Sequence, residues 1–239
     1  MNKLEKICEV RANDFDMNEQ FRVCSILDYF QDIAGKHATL LNVGYDKMIE
    51  KNYYWILMKT KFEIINNPKS ESEIKLVTWP SDEGKLDFIR DYEIRDINNN
   101  LLIKGASQWV VIDSNSRRIV RSADINLPYL KLEENYIKTK FEKINILKLE
   151  EYDFKYQYKT VNYDLDRNLH VNNTSYARVI FDGLDFKYAK NILEFEINYI
   201  KESTLNEDLD IYYKVENNVI LGLIVGNNIN RVSFKIKYK

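Results

Sequence analysis

Asp166, Asn168 and His170 stand at alternate positions in Asp164-Leu165-Asp166-Arg167-Asn168-Leu169-His170-Val171. A carboxylate, an amide and an imidazole this close together can orient a reactant and move a proton, and imidazole, with a free pKa of about 6.5, suits proton transfer near neutrality. A near copy occurs earlier in the chain, where Asn13-Asp14-Phe15-Asp16-Met17-Asn18-Glu19-Gln20-Phe21 lies at a constant offset (164 − 14 = 150). Both stretches run Asp, apolar, Asp, x, Asn, x, polar, apolar. They differ where it matters for chemistry: Gln20 occupies the place of His170, and an amide takes up no proton at neutral pH. If one half has kept proton chemistry, it is the second. The same spacing also suits an imidazole that only hydrogen-bonds its own turn. The other histidine, His37, sits between Lys36 and Ala38 near core positions and reads as structural.

Other chemistries fit less well. Asp-x-Asp-x-Asn supplies ligand positions one, three and five of a calcium loop, but position six is Glu19 or Leu169 instead of Gly, and position twelve is Ser25 or Ser175 instead of Glu. Cys8 and Cys24 cannot make a disulfide framework or a four-ligand zinc site, so no metal is expected. With 7 Gly in 239 residues and neither GxGxxG nor GK[ST], a phosphate-cradling loop and a nucleotide cofactor are not expected either. A net charge of −2 without a basic tract leaves no electrostatic footprint for nucleic acid. The first residues, MNKLEKICEV, carry charge where a signal peptide needs an apolar core. The longest strongly apolar run, Val219 to Val225, is far short of the roughly 20 residues of a bilayer span. A cytoplasmic protein that does not associate with membranes is the expectation.

The elements that must hold these residues are mostly strands. Stretches rich in Val, Ile, Tyr and Phe predict strands over Lys6 to Ala12, Tyr53 to Ile65, Glu73 to Trp79, Leu86 to Asp96 and Leu101 to Ile112. In the second half they predict Tyr152 to Val161, Leu193 to Ile200, Leu209 to Val215, Val219 to Val225 and Arg231 to Tyr238. Asn98 to Asn100, Asn217-Asn218 and Asn227-Asn228 suit the turns between them, because Asn tolerates positive φ. Two long helices are predicted. The first carries Ile26, Leu27, Phe30, Ile33, Ala34, Ala38 and Leu41 at helical spacing and stops at Asn42-Val43-Gly44. The second spans roughly Thr174 to Lys190. Phe62-Glu63-Ile64 after the first helix matches Phe195-Glu196-Ile197 after the second, with a shorter connector in the second half. A turn, a helix and a run of antiparallel strands, all present twice, is the signature of duplication. One apolar helix per sheet is best buried by a sheet curling around it. The predicted class is therefore α+β, a double hot dog. Its N-terminal domain spans 1–130, its linker spans 131–150, and its C-terminal domain spans 151–239.

Asp166-Arg167-Asn168-Leu169-His170-Val171-Asn172-Asn173, followed by Tyr176, resembles the active-site signature of the acyl-acyl-carrier-protein (acyl-ACP) thioesterases, which are tandem hot-dog enzymes. The likeness extends over nearly the whole chain. Ile26 to Ala34 with His37-Ala38 resembles that family's first central helix. Thr78-Trp79-Pro80, Phe88-Ile89-Arg90 and Trp109 to Asp113 with Arg117-Arg118 resemble its first sheet. The resemblance implies catalytic roles for Asp166, Asn168 and His170, and for Glu202 on the strand after the helix. Plant members carry Cys directly after that Glu, whereas this chain has Ser203 there and both its cysteines in the first half, which rules out a thiol nucleophile. The activity implied is hydrolysis of fatty acyl-ACP to free fatty acid, ending chain elongation. In that scheme Glu202 and His170 share general-base activation of water, Asn168 orients water or thioester, and Asp166 fixes the turn or the imidazole. Unpaired N–H groups at the start of the second helix, near Asn173 and Thr174, would polarise the carbonyl. The implied partner is a carrier protein bearing a fatty acyl chain, with Arg117, Arg118 and Arg121 as candidate docking residues and no cofactor. Phe30, Tyr53, Tyr54, Trp55, Trp79 and Trp109 are compatible with an acyl tunnel. A monomer and a homodimer both fit. An acyl-CoA thioesterase and a non-catalytic acyl-binding hot-dog protein are the alternatives.

Overall fold

The computed structural model describes residues 2–70, 72–125, 141 and 144–239. These fall into two compact units that part between residues 140 and 141, with 22–24 grouped with the second. Most of the linker expected at 131–150 lies outside the described residues; its end carries a single 3-10 turn, Leu149–Glu151.

In the first unit, strands β1 (Leu4–Glu9), β2 (Tyr53–Ile64), β3 (Glu73–Glu83), β4 (Asp87–Asp96) and β5 (Leu101–Asp113) are hydrogen-bonded in the order β1-β3-β4-β5-β2. Every pairing is antiparallel. Helix α1 (Val23–Leu40) lies against this sheet, and the short helices α2 (Tyr45–Glu50) and α3 (Ser122–Ile125) complete the unit. The apolar stripe of α1 is buried as its spacing predicts, with Ile26, Leu27, Phe30 and Ile33 all below 5% exposed. Phe30 stacks on Tyr92 of β4 at 4.3 Å and meets Phe62 of β2 edge-on. The helix approaches so closely that a Cβ on Gly105 of β5 would stand 2.5 Å from the Phe30 ring, which is why that position carries glycine.

Strand β3 runs beyond its predicted end at Trp79, through a proline. The register explains it: β1 pairs only as far as Leu4 with Thr78, so no neighbour on that side asks for the N–H that Pro80 lacks. On the other side Pro80 faces Arg90, and the register shifts just after it.

In the second unit, β6 (Asp153–Lys159), β7 (Ile192–Tyr199), β8 (Asp208–Glu216), β9 (Val219–Gly226) and β10 (Ile229–Tyr238) run in the order β7-β10-β9-β8-β6, again antiparallel. Two hairpins turn on Asn217-Asn218 and Asn227-Asn228, with φ of 48° and 61° in the first and 52° and 59° in the second. Positive φ at both central residues is the type I′ geometry that matches strand twist. No described glycine has positive φ, so asparagine supplies most of the left-handed backbone in a glycine-poor chain.

The second helix is shorter than its expected span of Thr174 to Lys190. Helix α4 covers Asn173–Asp182, and a separate turn, α5, covers Phe186–Ala189. Gly183 caps α4 where the Tyr156 ring of β6 crowds in, so close that a Cβ there would lie 2.0 Å from a ring carbon. The Tyr156 hydroxyl also donates to the carbonyl of Val179, so the strand clasps the end of the helix. On its opposite flank α4 sets Phe181 against Phe195 and Tyr176 against Tyr199, both on β7. Helix α4 thus reaches strands at the two ends of this unit's order. Among the described residues no helix is long and apolar enough to cross a membrane.

Candidate active site

The turn before α4 is built from the main chain outward. A 3-10 turn over Asn162–Asp164 leads into an isolated bridge between Leu165 and Val171. Between them Asp166 Oδ1 accepts from the N–H of Asn168 at 2.8 Å and of His170 at 3.3 Å. The Asp166 N–H donates to the His170 carbonyl at 2.8 Å, and Leu169 takes φ of 63° to close the loop. Asn168 Nδ2 lies 3.4 Å from the other Asp166 oxygen. Of the two roles open to Asp166, its hydrogen bonds go to the turn.

Deeper in, Asp164 is 1% exposed and anchors the turn to the helix. It accepts from the Val161 N–H and the Tyr158 hydroxyl, each at 2.8 Å, and from Arg178 Nη2 at 2.5 Å. Burial alone would favour loss of the Arg178 proton, but Tyr158 and Asp164 more than reverse it and hold the guanidinium charged. The Asp164 carbonyl accepts the Asn172 N–H at 2.7 Å, which seats the N-cap residue of α4.

Glu202 lies just past the end of β7, in the loop leading to β8, not on the strand itself. Its Oε2 stands 3.2 Å from His170 Nδ1, and both side chains remain partly open to solvent, at 53% and 31%. The loop is pinned around it. Val171 N–H donates to the Ser203 carbonyl at 2.9 Å, tying the loop to the residue after His170. Ser203 N–H donates to the Tyr176 hydroxyl at 3.0 Å, and burial raises that phenol's pKa, so it stays neutral. Ser203 itself is fully buried. A serine with no exposed surface is badly placed to attack a bound substrate.

The expected pair of open N–H groups at the start of α4 needs correcting. Asn172 is a working N-cap whose Oδ1 accepts the Thr174 N–H at 3.2 Å, the ordinary use of Asn at that position. Thr174 is therefore not an open donor. The Asn173 carbonyl accepts from Tyr199. Asp166, Asn168, His170 and Glu202 are brought together with the helix start. His37 belongs to the first unit, fully buried, with Nδ1 2.9 Å from an Arg90 nitrogen. A guanidinium only donates, so Nδ1 there is an acceptor, as befits a structural histidine. The aromatic residues of the first unit pack on each other, Trp55 against Phe88 and Trp109. Among the described residues no group of three or more His, Cys, Asp or Glu side chains could hold a metal ion.

Residues 2–127 match the family model described as the acyl-ACP thioesterase N-terminal domain, and residues 147–238 match that of the C-terminal domain. The chain belongs to the acyl-ACP thioesterase family. An oleoyl-acyl carrier protein thioesterase, chloroplastic, of Coriandrum sativum is 23% identical over 92% of this chain and 65% of its own length. A palmitoyl-acyl carrier protein thioesterase, chloroplastic, of Arabidopsis thaliana is 24% identical over 73% of this chain and 45% of its own. The chain thus spans from under half to about two thirds of these curated relatives. Among solved structures, an acyl-ACP thioesterase from Bacteroides thetaiotaomicron superposes with a TM-score of 0.89 at 21% identity, covering 100% of this chain and 98% of that one. A 12:0-ACP thioesterase from Umbellularia californica gives 0.89 at 17% identity, covering 100% and 98%. The fold is the hot-dog-like fold of acyl-ACP thioesterases, with extensive antiparallel sheet and few helices.

In this acyl-ACP thioesterase relative the sequence pattern misses Glu207 and Arg231, which are buried beside the Glu202 loop and ion-paired at 2.5 Å. It also gives no sign of Arg178 as the partner of Asp164. Arg231 shares its alternation with Ser233, Lys235 and Lys237, a row that in sequence looks solvent-facing.

Proposed function

We propose that the chain is a double hot dog, with domains over 1–130 and 151–239, that hydrolyses the thioester of fatty acyl-ACP. Membership of the family and the substrates for which its relatives are named support the substrate class. The observation that carries the chemistry is the 3.2 Å approach of Glu202 Oε2 to His170 Nδ1. Facing a carboxylate, Nδ1 is the protonated nitrogen, which leaves the lone pair on Nε2. Nε2 takes a proton from water as the water oxygen attacks the thioester carbon. Glu202 steadies the resulting imidazolium, as a carboxylate does for any positioned histidine. The tetrahedral oxyanion collapses, the C–S bond breaks, and the imidazolium returns its proton to the departing thiolate. The products are a free fatty acid and the carrier thiol. In this reading Asn168 orients water or substrate, and the first turn of α4, at Asn173, offers the positive end of a helix to the oxyanion. Asp166 contributes by shaping the turn that presents His170.

The test is thiol release from acyl-ACP and acyl-CoA substrates over a range of chain lengths. Turnover with kcat/KM higher on the carrier protein is expected. Hydrolysis of acyl-CoA alone would move the chain to the acyl-CoA thioesterases, and no thiol release from any substrate would overturn the reading.

A further inference from the structure

The loop that carries Glu202 has little secondary structure of its own, yet it must hold a carboxylate within hydrogen-bonding distance of His170. What holds it comes from β10. Arg231 is 6% exposed, and its Nη1 donates to the main-chain carbonyl of Glu202 at 2.8 Å. Its Nη2 pairs at 2.5 Å with Glu207 Oε1, and the other Glu207 oxygen accepts the N–H of Thr204 at 3.1 Å. Glu207 is in turn fixed by Thr160, whose hydroxyl accepts the Glu207 N–H at 2.8 Å and donates to the Thr204 carbonyl at 2.6 Å. The main chain of Arg231 also grips the loop: its carbonyl accepts the N–H groups of Ile200 at 2.8 Å and Lys201 at 3.1 Å.

We propose that Arg231 is a positioning residue for the reaction, a buried fork that fixes the main chain of Glu202 while Glu207 neutralises it. The inference rests on the reading of His170 and Glu202 as the catalytic pair. A buried ion pair is weak evidence for stability, since replacing it with apolar residues is often neutral or better. The pair is therefore read here for the geometry it imposes on the loop. A planar guanidinium can hold a carbonyl and a carboxylate at once, whereas an ammonium is a single point charge.

Two variants separate position from stability. Arg231→Lys keeps a cation opposite Glu207 but cannot span both acceptors. The pair Arg231→Met with Glu207→Leu removes both charges and leaves none buried alone. Both are expected to stay folded, with kcat on acyl-ACP down about 10- to 100-fold and KM within about twofold, the signature of a misplaced catalytic group. The chain has two histidines, so their imidazole signals can be told apart by NMR. In Arg231→Lys the His170 signals should move while those of His37 stay. Folded variants with wild-type kcat, or unmoved His170 signals, would overturn the proposal. His170→Ala in the same assay distinguishes the two failures. If it is inactive while Arg231→Lys is fully active, the clamp is wrong; if it retains wild-type turnover, the site reading beneath the clamp is wrong.

Discussion

The turn at Asp16 and the turn at Asp166 have nearly the same main chain and different chemistry. In the first unit Asp16 Oδ1 accepts from the N–H of Asn18 at 2.8 Å and of Gln20 at 2.9 Å, Glu19 takes φ of 57°, and a bridge joins Phe15 to Phe21. Each of these has its counterpart around Asp166. The payloads diverge. Gln20 Oε1 accepts from Asn67 Nδ2 at 2.7 Å, an amide pair with no proton to exchange, where the second unit sets His170 against Glu202. The supports diverge too. Asp14 is held by Arg11 and the Tyr29 hydroxyl, whereas Asp164 is held by Arg178 from the helix and Tyr158 from the strand. The frame is common to the two turns, and the difference lies in what each frame displays.

The largest expected effect comes from making the second turn resemble the first. His170→Gln should lower kcat/KM at least about 100-fold, the loss of a positioned base, while Gln20→Ala in the other turn should leave it within about twofold. Equal losses in the two variants, measured by thiol release, would erase the functional distinction between the turns.

Smaller effects should separate the supports. Asp164→Asn should cost about 2–3 kcal/mol, because it strands a half-buried guanidinium. Asp14→Asn should cost about 1–2 kcal/mol, since Arg11 is 66% exposed and screened by water. Burial alone would raise the Asp14 pKa, but hydrogen bonds from Arg11 and Tyr29 outweigh it and hold it below the ordinary carboxylate range. The unfolded chain then binds that proton first on acidification. The Asp14 contribution is complete above about pH 4, the ordinary carboxylate pKa, and is lost as pH falls through the lower folded value. Denaturant midpoints of wild type and Asp14→Asn should therefore converge in acid; a gap that widens there would contradict the assignment. Ser203→Ala should likewise do little, staying within about threefold in kcat. A collapse in that variant would point instead to Ser203 as a covalent nucleophile.

Much of this arrangement is legible in the chain. The strands announce themselves because β-branched and aromatic residues cluster between Asn turns, and α1 because its apolar stripe keeps one period over five turns. The break at Gly183 is not legible: the apolar set continues through Leu184 and Tyr188, and only the Tyr156 ring, distant in sequence, stops the helix. His170 stands out by comparison with Gln20. Glu202 comes only through family resemblance, since it sits in an aperiodic exposed loop among ordinary charged residues. Arg231 and Glu207 are the hardest, because a buried charge and a surface charge are spelled alike until the sheet brings residues 202, 207 and 231 side by side.

The way Asp166 spends its carboxylate has an evolutionary consequence. It grips peptide N–H groups, which every residue except proline offers, so the shape of the mount is indifferent to the side chain at position 170. A descendant can trade its imidazole for an amide, or regain it, without refolding the loop around it. The side chain at this position is then a removable cargo, exchanged by single substitutions, and the turn at Asp16 is what the mount looks like with a different load.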